Sequence, residues 1–223
     1  GLSNIHRNVI FRNSVAPPVP VSFIEAPTDL MLWEQLDQAC PEATGCSWVT
    51  IPHNSNLANG RMFKPMKGRQ HAEARLENEP VIEIFQHKGN SECINGLAAI
   101  YGEVDELCDI EAVRRFGQTR ATARIGMQDG QLQVEQTVVS TEECGDDTGQ
   151  DGMLGGGCVD ETDFHRSNLL VGLADEQDLG INSAKLGVIG STDTHTSTPG
   201  ATDEQNWGGH VSKEATPEER LQP

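Results

Sequence analysis

A chain of 223 residues, 36% hydrophobic and 22% charged, can build one sizeable core and is too apolar for disorder throughout. Its formal net charge of -18 excludes a nucleic-acid reader, which needs a basic face to displace counterions, and suits cationic partners, divalent metals among them. No apolar run approaches the roughly 20 residues that cross a bilayer, and no signal peptide is visible.

The chain opens on Gly1 and reaches strand-like sequence almost at once, and Lys213 to Pro223 ends it in polar residues. The expectation is an internal piece of a longer protein. Asn8 to Arg12 reads as a first strand, and Pro17, Pro18 and Pro20 mark an extended loop because proline cannot donate a backbone hydrogen bond. Thr28 or Asp29 caps a helix with Leu32, Trp33 and Leu36 on one face, ending by Cys40-Pro41. Ser47 to Pro52 is a second strand. Lys67 to Asn78 carries good helix formers and reads as an exposed helix, and Val81 to Gln86 is a third strand. Strands alternating with helices signal parallel crossover units, hence an α/β architecture.

An insertion is expected over approximately 117–160. Ala121 to Ile125 and Leu132 to Val139 suit a hairpin about Asp129-Gly130, and Glu142 to Gly157 is acidic, glycine-rich and free of Lys and Arg. Thr162 to Asp178 returns to helix, with Leu169, Leu170 and Leu173 apolar and Gly180 as its stop. Leu186 to Ile189 is a short buried strand. A polar tail covers approximately 211–223. One domain, 1–223, accommodates all of this.

Several motifs are excluded. Gly155-Gly156-Gly157 lacks the Lys-Ser or Lys-Thr of a phosphate loop, Asp147, Asp151 and Gly152 lack the closing Glu of a calcium loop, and no Gly-x-Ser-x-Gly elbow exists. Among the six cysteines, Cys40/Cys46 and Cys144/Cys158 flank loops and suit loop-closing bridges better than zinc knuckles. That favours a periplasmic or extracellular compartment, with buried cytosolic thiols as the alternative.

The histidines sort by context. His6, His71, His165 and His210 lie at a terminus, on helices or in the tail, where surface or packing roles are the default. His53, His87 and His195 each follow an apolar run, and in parallel α/β folds the loops after strands converge on one face. Asp193 adds a hard anionic donor two residues before His195, and imidazole with carboxylate suits zinc, manganese or iron. Glu83 is either an inward-facing ligand or half of a buried salt bridge. Asn54, Ser55 and Asn56 either orient His53 and contact substrate or are ordinary turn residues. Lys88 can neutralise a small anionic substrate; Arg61 reads as surface charge.

His6 to Arg12, Ile51 to Asn56, Glu83 to Cys93 and Lys185 to His195 together resemble the DUF3604 family over nearly the whole chain. That family is similar to the PHP (polymerase and histidinol phosphatase) superfamily. The resemblance implies a distorted (β/α)7 TIM-like barrel, here partial, with a centre of two or three metals. It carries His53 onto a His-Pro-type loop in which Asn54 stands where Pro is usual, His87 onto the ligand after the Glu83 strand, and Asp193 and His195 onto a closing Gly-Ser-Asp-x-His signature with one residue inserted. The family's opening His-x-His, its Thr-Asp-His and a bridging Glu would lie upstream of Gly1. The expectation is a metal-dependent, phosphoesterase-like hydrolase in the intact parent, with the present piece inactive alone. His53, His87, Asp193, His195 and Glu83 would be its ligands, Asp193 its catalytic acceptor of a proton, and Asn54, Asn56 and Lys88 its substrate contacts. The alternative is an exported, non-catalytic binding or structural module.

Overall fold

The computed structural model describes residues 5–97, 103–128, 131–145, 148–149 and 157–195. Strand β1 (Arg7–Phe11) pairs antiparallel with β2 (Trp48–Pro52), and between them lies helix α1 (Asp29–Ala39). Thr28 caps that helix by accepting a hydrogen bond from the Met31 amide, and Trp33 and Leu36 are its buried residues. Helix α2 (Arg69–Asn78) leads into β3 (Val81–Gln86), which pairs antiparallel with the two-residue β4 (Gly89–Asn90) and parallel with β7 (Gly187–Gly190). Strands β5 (Thr119–Gln128) and β6 (Gln131–Ser140) form the expected hairpin; its turn, Asp129-Gly130, lies outside the described residues. Helix α3 (His165–Leu179) ends at Gly180, whose φ of 73° is the left-handed stop that glycine adopts most easily.

The expected TIM-like barrel is not what forms. Among the described residues there are two two-stranded sheets and one three-stranded sheet, and none closes. Alternation of strand and helix does not by itself make crossovers. The long connection between β1 and β2 lets the chain return antiparallel, and among the described strands β3 and β7 alone pair in parallel. Burial differs too. All four residues of β7 are exposed at the edge of its sheet, and Leu169, Leu170 and Leu173 of α3 face solvent, so α3 packs instead through polar residues such as Ser167, Asn168 and Asp175. Conversely, α2 is no purely exposed helix: His71, Ala72 and Arg75 are buried. The calcium-loop residues Asp147, Asp151 and Gly152, and the tail 211–223, lie outside the described residues.

One apolar cluster, Ala58, Met62, Phe63 and Ile82, joins the loop after β2 to β3. A second, Ile94, Leu97, Val159 and Phe164, joins the segment after β4 to the start of α3. All six cysteines are paired: Cys40–Cys46 and Cys144–Cys158 as expected, and Cys93–Cys108, which the spacing did not single out. The last closes a sequence separation of 15 residues next to Asn90 and Ser91. By chain entropy its removal, as the Cys93→Ala/Cys108→Ala double variant, should cost about 3 kcal/mol in urea-induced unfolding.

Asp163 binds the loop after β2 to the approach to α3. It is fully buried, and its two carboxyl oxygens accept the amides of Gly60 (2.7 Å) and Asp160 (3.1 Å). Burial outweighs those two amides and pushes its pKa up to about 8. A raised folded pKa contributes stability fully below the ordinary value of 3.8 and loses it as pH rises towards 8. Unfolding free energy should therefore fall across that window by on the order of a few kcal/mol, and Asp163→Asn should flatten the fall; denaturation at pH 5 and pH 8 checks both.

Candidate functional site

Strand direction decides what meets. Because β1 opposes β2 with Arg7 against Pro52, the residue before β1 lies beside the residue after β2, and the His53 amide donates to the His6 carbonyl (3.2 Å). The two imidazole rings stand 5.6 Å apart. Because β3 and β7 are parallel, with Phe85 against Gly190, the residues after both strands leave the same end. A one-residue bulge, with Glu83 against Ile189 and Phe85 against Gly190, sets the register there. The Ser191 amide then donates to the Phe85 carbonyl (2.9 Å).

Asp193 is the anionic centre of this rim. Its Oδ2 accepts from the Lys88 ammonium and from the Gln86 side-chain amide (3.3 Å), and lies 3.9 Å from His87 Nδ1; its Oδ1 lies 3.9 Å from His195 Nε2. Gln86 also donates to the Asn54 side-chain oxygen and stands 3.4 Å from His53 Nδ1. Its own oxygen accepts the Lys88 amide (2.9 Å), which orients the glutamine with its NH2 towards three acceptors. Asn54 and Asp193 hold φ values of 57° and 53°. Asn and Asp are among the few residues that tolerate this left-handed region, whereas proline is locked near -65°. Asn at position 54 therefore suits this loop conformation, which proline could not adopt.

The imidazoles divide into two tautomers. His87 Nδ1 is 3.0 Å from the Thr192 carbonyl and His195 Nδ1 is 2.7 Å from the Asp193 carbonyl. A carbonyl only accepts, so both rings carry a proton on Nδ1, and in a neutral ring that places the lone pair on Nε2, the form in which histidine binds metal. His53 accepts at Nδ1 from Gln86 and so carries its proton on Nε2. Burial lowers its pKa to about 4, with Asp193 opposing and His6, Lys88 and His195 adding to the fall. Burial also lowers His6. Burial alone would raise Asp193, but Lys88, with His53 and His195, more than offsets it and the carboxyl sits below its usual range.

Glu83 is 2% exposed; one oxygen accepts from the Ser191 hydroxyl, and the other is buried without a hydrogen-bond partner among the described residues. Burial pushes its pKa up. Asn56 is buried with its side-chain amide on the Lys88 carbonyl (2.9 Å), bracing one loop against the other. The structure thus gathers His53, Asn54, His87, Lys88, Asp193 and His195 and sets Glu83 and Asn56 beneath them. The sequence reading passed over His6 and Gln86. An antiparallel β1–β2 register would have exposed His6; glutamine bears no signature of its own.

Zinc, manganese or iron would find fitting donors in His87, His195 and Asp193, and the unpartnered Glu83 oxygen marks an unmet interaction nearby. Among the described residues, however, no group of three or more His, Cys, Asp or Glu side chains is gathered tightly enough to hold an ion, and Lys88 supplies the cation at Asp193. Small separate sheets, mostly antiparallel rather than the parallel α/β array expected, carry an imidazole–carboxylate rim that defines a mixed helix-and-strand protein with a polar site at its strand ends. The chain belongs to the family of proteins of unknown function DUF3604, whose pattern matches residues 1–137 and 142–222. No curated protein and no solved structure matches it. Among the described residues no helix is long and apolar enough to cross a membrane.

Proposed function

We propose that this chain belongs to a metal-dependent hydrolase acting on a small anionic substrate, a phosphoester in preference to an amide, with His87, His195 and Asp193 as ligands for zinc, manganese or iron. The observation that carries the reading is the paired Nδ1-to-carbonyl hydrogen bonds of His87 and His195 on either side of the Asp193 carboxylate. Kinship with the PHP superfamily is part of the proposal and rests on the Gly190 to His195 motif; the preference for phosphoesters follows from that analogy. When bound, the ion would lower the pKa of water to near 7 and polarise the scissile group.

The chain's own residues do the rest. Asp193, its carboxyl held below the usual range, accepts a proton; Lys88, partly exposed, moves from Asp193 to the anionic group of the substrate. Gln86 keeps His53 and Asp193 in fixed orientation, and His53, neutral at physiological pH, donates a hydrogen bond from Nε2. The three disulfides support a periplasmic or extracellular location.

A second reading, an exported binding module without chemistry, is favoured by the Lys88–Asp193 ion pair, which places the protein's own cation on the key carboxylate. Metal analysis of the full-length protein, followed by assay of its metal-loaded form against phosphoesters, sulfate esters, amides and lactones, separates them. Stoichiometric transition metal with turnover supports the hydrolase; its absence after metal loading rejects it.

A further inference from the structure

We propose that the cavity between β1, α1 and the loop preceding α1 is an apolar recognition pocket for the same site, so that the substrate joins an aryl or alkyl group to the group that reacts. The reacting half of this statement rests on the hydrolase reading above; the pocket does not.

The cavity measures about 370 Å³, within the range of small-molecule sites. Its apolar wall comprises Ile5, Val9, Val21, Phe23, Ala26 and Leu32. The polar groups that share the wall are engaged elsewhere: Arg7 with Glu79, Asp29 with His71 (3.2 Å), Thr28 with the Met31 amide and Ser22 with Glu25. A guest therefore meets hydrocarbon and one imidazole. That imidazole is His6, which lines the cavity on one side and stands 5.6 Å from the His53 ring on the other. Phe23 is 53% exposed, an aromatic ring in the pocket wall still open to solvent. A second cavity along α1, lined by Val21, Met31, Glu34, Gln35, Gln38 and Ala39, contains none of the site's residues.

The test begins with the metal-free protein titrated with 1-naphthol and followed by fluorescence. Saturable one-site binding is expected. Ala26→Leu adds carbons inside the cavity and should weaken it by about tenfold or more, and Phe23→Ala, at a half-exposed position that folding tolerates, by about threefold or more. Absence of saturable binding, or binding indifferent to both substitutions in folded variants, overturns the pocket. Turnover of 1-naphthyl phosphate and methyl phosphate by metal-loaded protein is scored separately. Naphthol binding without hydrolysis of either ester keeps the pocket and removes the hydrolase reading. Equal hydrolysis of both esters without naphthol binding removes the pocket and keeps the hydrolase.

Discussion

Glu79→Ala should lower the unfolding free energy by about 3–5 kcal/mol, the range for leaving buried charge uncompensated. Glu79 is fully buried, caps the end of α2 and serves two guanidinium groups at once: Arg7 through Oε1 and Arg75 through Oε2 at 3.6 Å. Both arginine side chains are themselves buried, at 7% and 1% exposed. Burial lowers the pKa of Arg75 despite Glu79, whereas at Arg7 burial is opposed by Glu79 and Asp29 together and the net shift is upward. Removing the carboxylate strands both cations, with Asp29 at 3.9 Å from Arg7 as the nearest remaining anion in an ion pair with either. Arg75 also lies over the Phe63 ring at 5.0 Å, but a ring face is a weak substitute for a carboxylate.

The comparison that isolates the cause is Arg7→Met/Arg75→Met/Glu79→Leu, which exchanges the whole ionic group for hydrocarbon and should cost far less than Glu79→Ala alone. Urea denaturation of both, with the wild type, measures it. A loss under about 1 kcal/mol for Glu79→Ala would mean that water reaches the pair and the network does not brace the fold. The consequence reaches function because Arg7 follows His6: the ion network anchors the start of β1, and with it the placement of His6 beside His53.

The elements of this fold are legible in the sequence to within a few residues, because periodicity and caps are local. Thr28 caps α1, Val81 to Gln86 is β3, and Gly180 ends α3. Direction and burial are not local. Whether β2 returns beside β1 or crosses over depends on packing by a long connection, and that choice turned an expected barrel into small separate sheets. It also set His6, read as a surface or packing residue, beside His53 while leaving it exposed. Three leucines at helical spacing on α3 read as core, yet the helix buries its polar side. The gathering of His53, His87, Asp193 and His195 was visible because strand ends on one rim deliver their next residues together, whether or not a barrel closes. Gln86 was not visible, since its role lies in three hydrogen bonds whose partners come from two other loops.

On the proposed reading, Asp193→Asn should weaken divalent-metal binding by more than about 100-fold and abolish turnover, while the folded structure persists. Asparagine keeps the shape of the side chain and tolerates the φ of 53° as well as aspartate does, so the loop after β7 is retained and only charge is removed. The lost charge is the one that Lys88 holds ionised against burial. Lys88→Met should act in the opposite sense on the metal: it deletes the competing cation from Asp193, so affinity for zinc or manganese rises severalfold, while affinity for an anionic substrate falls. Calorimetric titration of both variants with zinc and manganese reads the two signs directly. Opposite effects require one carboxylate shared between an ammonium and a metal ion. If Asp193→Asn binds metal as the wild type does, that carboxylate is no ligand; if both variants bind none and the wild type binds none, the ion pair is the resting and final state of the site.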